Sequence, residues 1–224
     1  MNLETARFNM IEQQIRPWEV LDQGVLSLLA TVRREDFVPA SHRALAFVDT
    51  QVPLTDAGTT GPCMLEPKVE ARLLQELQVQ RHEKVLEIGT GSGFMAALLA
   101  HRAMHVHTLE CRPGLAATAR ENLRRAGIGN VTVLDVTAAE GTRGLPGEAP
   151  FDVILLSGSV AEVPRALLEQ LKVGGRLAAI VGDQPVMIAR LFTRAGEAAW
   201  SQSELFDTVA PRLEGFAEHE RFSF

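Results

Sequence analysis

Val85-Leu86-Glu87-Ile88-Gly89-Thr90-Gly91-Ser92-Gly93-Phe94 is the stretch that decides how this 224-residue chain folds. A short apolar strand runs into three glycines at alternate positions, and an apolar helix over 94–102 follows. Glycines let the backbone turn sharply and let another group approach closely. The helix start offers unpaired N–H groups and the positive end of a dipole. A strand, loop and helix of this kind is the usual first unit of a doubly wound sheet, in which ligands bind at the carboxyl ends of the strands, near the switch point.

Working outward, the pattern repeats. Strands are expected over 105–110, 131–134, 151–156 and 176–181, with helices over 114–126 and 164–171 and a turn at Gly174-Gly175. Alternating strands and helices indicate βαβ units and a parallel sheet. The continuous apolar run Phe151-Asp152-Val153-Ile154-Leu155-Leu156 indicates a sheet covered on both faces. The segment 189–224 alternates in short runs and reads as one or two antiparallel strands closing the sheet. Upstream, Leu21, Val25, Leu28, Leu29 and Val32 recur at helical spacing, with Asp22 near the start and Phe37-Val38-Pro39 as the stop. An irregular loop over 55–62 and a helix from Pro67, striped by Val69, Leu73, Leu74 and Leu77, complete the N-terminal part. The expectation is an α/β fold with a doubly wound, mostly parallel sheet in residues 81–224. Residues 1–80 form a helical and substrate-loop extension packed on the same domain, and an antiparallel strand pair ends the chain.

The glycine spacing separates two ligand classes. Dinucleotide sites use G-x-G-x-x-G with pyrophosphate at the helix start. Here the spacing is G-x-G-x-G, with Phe94 in the sixth position, as in S-adenosylmethionine enzymes of the class I methyltransferase type. Glu87, at the end of a buried strand, would repel a pyrophosphate but attract the ammonium of a methionine moiety. Glu110 ends the second strand, where a carboxylate can accept both ribose hydroxyls. The competing reading makes both acids plain exposed strand ends; two acids at both expected positions outweigh it. The candidate cofactor residues are therefore Glu87, Gly89, Thr90, Gly91, Ser92, Gly93 and Glu110, and the cofactor is S-adenosylmethionine, leaving S-adenosylhomocysteine as product.

Composition excludes other classes. The net charge is −6, Arg33-Arg34 is followed at once by Glu35-Asp36, and Arg120, Arg124 and Arg125 flank Glu121 on what reads as a solvated helix face. This argues against nucleic-acid binding, which rests on basic patches. No apolar run reaches membrane-spanning length, and Met1-Asn2-Leu3-Glu4 lacks a secretion signal, so the cytoplasm is the default location. Two cysteines, Cys63 and Cys111, fit a reducing compartment. His105 and His107 would share one strand face, but without a neighbouring carboxylate or cysteine they make no metal site.

The quoted stretch resembles the first motif of the protein-L-isoaspartate O-methyltransferases, and the likeness covers nearly the whole chain. Val32-Arg33-Arg34-Glu35-Asp36-Phe37-Val38-Pro39 is similar to that family's valine-proline-arginine-glutamate…phenylalanine-valine-proline signature. Ala46-Phe47-Val48-Asp49 with Val52-Pro53-Leu54, Pro150-Phe151-Asp152-Val153-Ile154, and Gln170-Leu171-Lys172-Val173-Gly174-Gly175-Arg176-Leu177 match further family segments. The resemblance implies methyl transfer to the α-carboxylate of an isoaspartyl residue, a protein-repair reaction on protein or peptide partners by a monomer or homodimer. An ionised carboxylate is already a nucleophile and needs no general base, so catalysis is mainly positioning with water excluded.

The chain departs from that family at the acceptor. The family's glycine-glutamine-threonine-isoleucine-serine-glutamine-proline element aligns with Gly61-Pro62-Cys63-Met64-Leu65-Glu66-Pro67. Leu65 stands where the resemblance places the catalytic serine and cannot donate a hydrogen bond. Thr59 and Thr60 either substitute from the same loop, with Thr60 as the catalytic candidate, or are ordinary loop residues; Cys63 is the soft group nearby. After the third strand the family's glycine-aspartate-glycine becomes Val136-Thr137-Ala138, which leaves Thr137 as the candidate adenine contact. Ser157-Gly158-Ser159 either lines the acceptor pocket, with Ser159 facing substrate, or forms a turn. These departures keep two alternatives open: a methyltransferase with a small-molecule acceptor, and a non-catalytic S-adenosylmethionine binder.

Overall fold

The computed structural model describes residues 2–55 and 61–218. Its seven-stranded sheet is built from β3 (Lys84–Ile88), β4 (His105–Glu110), β5 (Val131–Asp135), β6 (Phe151–Val160), β7 (Leu171–Asp183), β8 (Val186–Gly196) and β9 (Ala199–Asp207), preceded in the chain by the short strands β1 (Val52–Pro53) and β2 (Cys63–Met64), which pair with each other. The sheet order is β5-β4-β3-β6-β7-β8-β9. The first five are parallel, and β8 and β9 are antiparallel to their neighbours. The expected mostly parallel sheet and the antiparallel closing pair are both present. The order reverses between β3 and β6, so the loop after β3 lies at the switch point.

The central strands β3 and β6 and the second half of β7 are largely apolar because they serve two cores. Val85, Val153, Leu155, Ala178 and Ile180 face one apolar cluster. Their neighbours Leu86, Ile154, Leu156, Leu177 and Ala179 face the other. The first cluster is shared with the N-terminal third through Met10, Ile15, Val25, Leu29, Phe37 and Val38, and with the helices α3 (Pro67–Leu77) and α4 (Phe94–Ala100). Local signals set the helix ends. Leu3–Met10 (α1) is capped by Asn2. In α2 (Gln23–Thr31), Asp22 accepts the Val25 amide at 2.8 Å. Pro67 and Pro113 open α3 and α5 (Pro113–Arg125).

Three expectations are corrected. The helix containing Leu21 to Val32 stops at Thr31 rather than at Pro39: Val32 is extended, and Arg34–Asp36 forms a separate 3-10 turn because Arg34 and Glu35 are drawn into buried ion pairs. The helix over 164–171 shrinks to α7 (Arg165–Leu168). Gly174-Gly175 is not a turn between elements but part of a bulge inside β7, where the register jumps from Phe151↔Leu171 to Val153↔Arg176 and Gly174 has φ 83°.

Candidate active site

The loop after β3 is fixed by the end of β4. Gly89 N donates to the Leu109 carbonyl at 2.9 Å, and Gly91 N donates to Glu110 Oε2 at 2.8 Å. Gly89, Gly91 and Gly93 have φ of 94°, 56° and 85°, values that only glycine adopts without strain. Gly93 then caps α4, and a Cβ there would press on Ala119 at 3.3 Å.

Glu87 sits beneath this loop. It is fully buried, and it pairs in register with Thr108 of β4. Ser157 Oγ donates to Glu87 Oε1 and Thr108 Oγ1 to Oε2, both at 2.7 Å. Since the one Thr108 proton goes to Glu87, the 2.6 Å contact between Thr90 and Thr108 has Thr90 as donor. Burial pushes the Glu87 carboxyl up to about 7, although the two hydroxyls pull it down. Glu110 is 5 % exposed, and its other oxygen accepts the Arg112 amide at 3.0 Å. Burial also raises its pKa, against the pull of these amides.

A cleft of about 600 Å³ opens above the loop, within the size range of small-molecule sites. Gly89, Gly91 and Glu110 form its floor, and Val136, Ala138, Gly141 and Phe216 an apolar end. Residues 61–63 and 65 face Ser157, Gly158, Gln184, Met187 and Arg212 across the other end. A recess of about 30 Å³ lies behind the loop, lined by Glu70, Glu87, Thr90, Ser92, Cys63 and Leu65 among others. Ser92 Oγ is buried there without a hydrogen-bond partner among the described residues.

The sequence candidates therefore divide. Gly89, Gly91, Glu110, Cys63 and Leu65 line the cleft. Glu87, Thr90 and Ser92 reach only the recess, and Gly93 shapes the loop from behind. Thr137 does not face the cleft: it is exposed, and its hydroxyl makes a capping box with Glu140 at the start of α6 (Ala138–Gly141), accepting the Glu140 amide at 3.2 Å. Val136 and Ala138 on either side are the cleft residues. Ser159 is also turned away, because a bulge between Leu155 and Ser159 lengthens β6 beyond the expected end at 156. Its hydroxyl donates to the Ala210 carbonyl at 2.9 Å. Thr59 and Thr60 lie outside the described residues.

Two relationships went unread in the sequence, although Ser157 itself is a candidate there for the pocket lining, where it stands. Ser157 supports Glu87, and the segment after β9 lies over the loop. Leu213 packs so tightly there that a Cβ on Gly89 would come within 2.7 Å of it, and one on Gly158 within 2.8 Å. Glu214 accepts Arg112 Nε at 2.6 Å and ties this segment to the end of β4. Neither thiol is activated: burial pushes Cys63 up to about 12 and Cys111 up to about 11, so both are protonated at neutral pH.

Residues 5–209 match the family described as protein-L-isoaspartate(D-aspartate) O-methyltransferase. A protein-L-isoaspartate O-methyltransferase of Methanoculleus marisnigri is 39 % identical over 191 residues, covering 85 % of this chain and 84 % of the relative. One from Roseiflexus castenholzii is 40 % identical over 197 residues, with coverages of 88 % and 87 %. Among solved structures, a protein-L-isoaspartate O-methyltransferase superposes with a TM-score of 0.80 at 24 % identity, over 93 % of this chain and 66 % of that one. A Plasmodium falciparum protein described as a crystal structure of that type in complex with S-adenosyl-L-homocysteine gives 0.75 at 19 % identity, over 96 % and 99 %. At these identities the structures speak to the fold.

Proposed function

Because the chain belongs to the protein-L-isoaspartate(D-aspartate) O-methyltransferase family, we propose that its cleft holds S-adenosylmethionine against the carboxylate of an isoaspartyl residue in a protein or peptide. The chain is an S-adenosylmethionine-dependent methyltransferase of that family, acting in the repair of damaged aspartyl residues.

The observation that carries the site assignment is Glu110. Its two oxygens are held by the amides of Gly91 and Arg112, and each retains acceptor capacity toward the cleft for the two ribose hydroxyls. The apolar end formed by Val136, Ala138, Gly141 and Phe216 suits a flat adenine. Glycine at 89 and 91 lets Leu213 and Leu54 pack close to the loop, where an added Cβ would come within 2.7 and 3.0 Å of them. Glu87 offers a carboxylate for the methionine ammonium through the recess shared with Thr90 and Ser92. Bound in this way, S-adenosylmethionine supplies a methyl group on a sulfonium leaving group.

The chain's own contribution is placement and exclusion of water. Arg212 lines the acceptor end beside Asp183, with which it pairs, and donates to the Gly182 carbonyl at 2.9 Å; it offers a carboxylate N–H donors there rather than a net positive charge. The protonated thiols of Cys63 and Cys111 serve as neither base nor nucleophile. The cytoplasm belongs to the same proposal, supported by two cysteines that form no disulfide. A second reading, a small-molecule acceptor on the same donor site, is favoured by Leu65, which presents only methyl groups to the acceptor end.

Incubation with radiolabelled S-adenosylmethionine and an isoaspartyl peptide separates these readings. Base-labile label on the peptide, absent from the matching aspartyl peptide, supports the first. Label transferred only to small molecules of a cell extract supports the second, and tight binding without transfer marks a non-catalytic binder.

A further inference from the structure

Arg34 is 1 % exposed, although in sequence it stands in a run of charges. A buried guanidinium has to be satisfied by its surroundings. Its Nη1 donates to Glu70 Oε2 in α3, and its Nη2 donates to the Leu65 carbonyl at 2.7 Å. The guanidinium carbon lies 4.9 Å from the centre of the Phe94 ring. These partners belong to three parts of the site. Glu70 stands in the first turn of α3 and lines the recess behind the glycine loop. Leu65 belongs to the segment that walls the acceptor end. Phe94 is the first residue of α4, next to Gly93.

We propose that Arg34 is a positioning residue: through the Leu65 carbonyl, its planar fork sets where residues 61–66 stand relative to the glycine loop, and so where the acceptor meets the methyl donor. The activity readout of this proposal rests on the isoaspartyl reading; the geometry does not. Arg34 lines neither the cleft nor the recess, so it acts only through its partners. A second tie holds the same segment from the other side. Gln51 Nε2 donates to Glu66 Oε1 at 3.3 Å and to the Val209 carbonyl at 2.8 Å. The pairing of β2 with β1 and the bond from Leu54 N to the Pro62 carbonyl hold it as well, so without Arg34 the segment shifts about these ties, at Leu65, where it loses its own. Stability alone does not demand an arginine, since buried ion pairs are often replaced by apolar pairs without loss. An apolar pair cannot donate to the Leu65 carbonyl.

The test is Arg34→Met/Glu70→Met, which removes both charges and leaves no buried carboxylate unpaired. Three quantities are read: S-adenosylhomocysteine affinity by calorimetry, methylation of an isoaspartyl peptide, and the labelling rate of Cys63 by a thiol reagent in a Cys111→Ser background. The expected result is a fall in kcat/KM for the peptide of about 10–100-fold, the scale of a misplacement near 1 Å, larger than any loss of donor affinity that Glu70→Met causes at the recess, and faster labelling of Cys63. Wild-type kcat/KM or unchanged labelling overturns the proposal, and so does an equal loss of donor affinity, which would mean general loosening. Arg34→Lys keeps the ion pair but cannot fork to Leu65; it gives the same pattern in a protein whose fold is not in question, and full activity with native labelling there overturns the proposal as well. If the wild-type protein leaves the peptide unmethylated, the acceptor reading fails by itself, while the labelling rate and donor affinity still decide the role of Arg34.

Discussion

Glu110 Oε2 accepts the backbone amide of Gly91 at 2.8 Å, so the residue assigned to the ribose also holds the glycine loop in place. Removing it should act twice. Glu110→Ala loses hydrogen bonds to a charged group, worth about 1.5–3 kcal/mol of donor affinity, and frees the Gly91 amide. Calorimetry with S-adenosylhomocysteine should show that loss, with Glu110→Gln recovering part of it. An unchanged affinity in the alanine variant would remove Glu110 from the site.

Glu87 gives the ligand-free protein a pH dependence. Its carboxyl rises from an ordinary 4.5 to about 7 because it is buried. A group with a raised folded pKa stabilises the fold fully below the unfolded pKa, and that contribution fades as the pH climbs through the folded value. The window is therefore about pH 4.5 to 7, and the size for such a shift is about 3 kcal/mol. Glu87→Gln carries no proton to lose. Relative to wild type it should gain stability by about that amount across the window in urea unfolding. Parallel curves at both ends of the window would mean that the carboxyl titrates in its ordinary range.

The strand, glycine loop and acid proposed for the donor are legible in the sequence because they are local. Five strand residues, three glycines and an acid at the end of the next strand occupy fixed places in one βαβ unit. What escaped reading depends on contacts between distant residues. Arg34 looks neutralised by Glu35 and Asp36, yet it pairs with Glu70, while Glu35 pairs with Arg7 and Arg33. Leu213 is one apolar residue in a segment without periodicity, and only the folded chain brings it onto Gly89 and Gly158. Thr137 misled for the opposite reason. Thr137-Ala138-Ala139-Glu140 is a readable capping box, but its helix has four residues and shows no periodic pattern.

The Leu213 contact makes a prediction of its own. In Gly89→Ala the new Cβ would meet Leu213 Cδ2 at 2.7 Å, on a backbone with φ of 94°. Overpacking costs about 1–3 kcal/mol, and the positive φ about 1–2 kcal/mol more. Adding Leu213→Ala should return the packing part and leave the backbone part. Urea unfolding of the two single variants and the double would show this as non-additivity; strictly additive losses would mean that the side chains do not meet.

Thr137 is expected to matter for stability and not for the donor. Thr137→Ala breaks the capping box and should cost about 1 kcal/mol. S-adenosylhomocysteine affinity should stay at the wild-type value, since Val136 and Ala138, not Thr137, face the cleft. A selective fall in affinity would return Thr137 to the adenine site.

Leu65 gives the sharpest test of the acceptor. Its side chain is 4 % exposed and lines the acceptor end of the cleft, and its carbonyl is fixed by Arg34. Leu65→Ser places a hydroxyl on a backbone that Arg34 already holds, at the position where the family resemblance expects a serine. A hydrogen bond from that hydroxyl to a carboxylate is worth about 1.5–3 kcal/mol, or about 10–100-fold in kcat/KM if it forms fully in the transition state. The same change removes a buried leucine, so stability should fall by about 2–5 kcal/mol, the range for large-to-small core substitutions. Activity on an isoaspartyl peptide should therefore rise while the melting temperature drops. Activity that falls along with stability, in a protein that still binds S-adenosylhomocysteine, would show that the acceptor is recognised by the apolar surface of Leu65 itself and would favour the small-molecule reading.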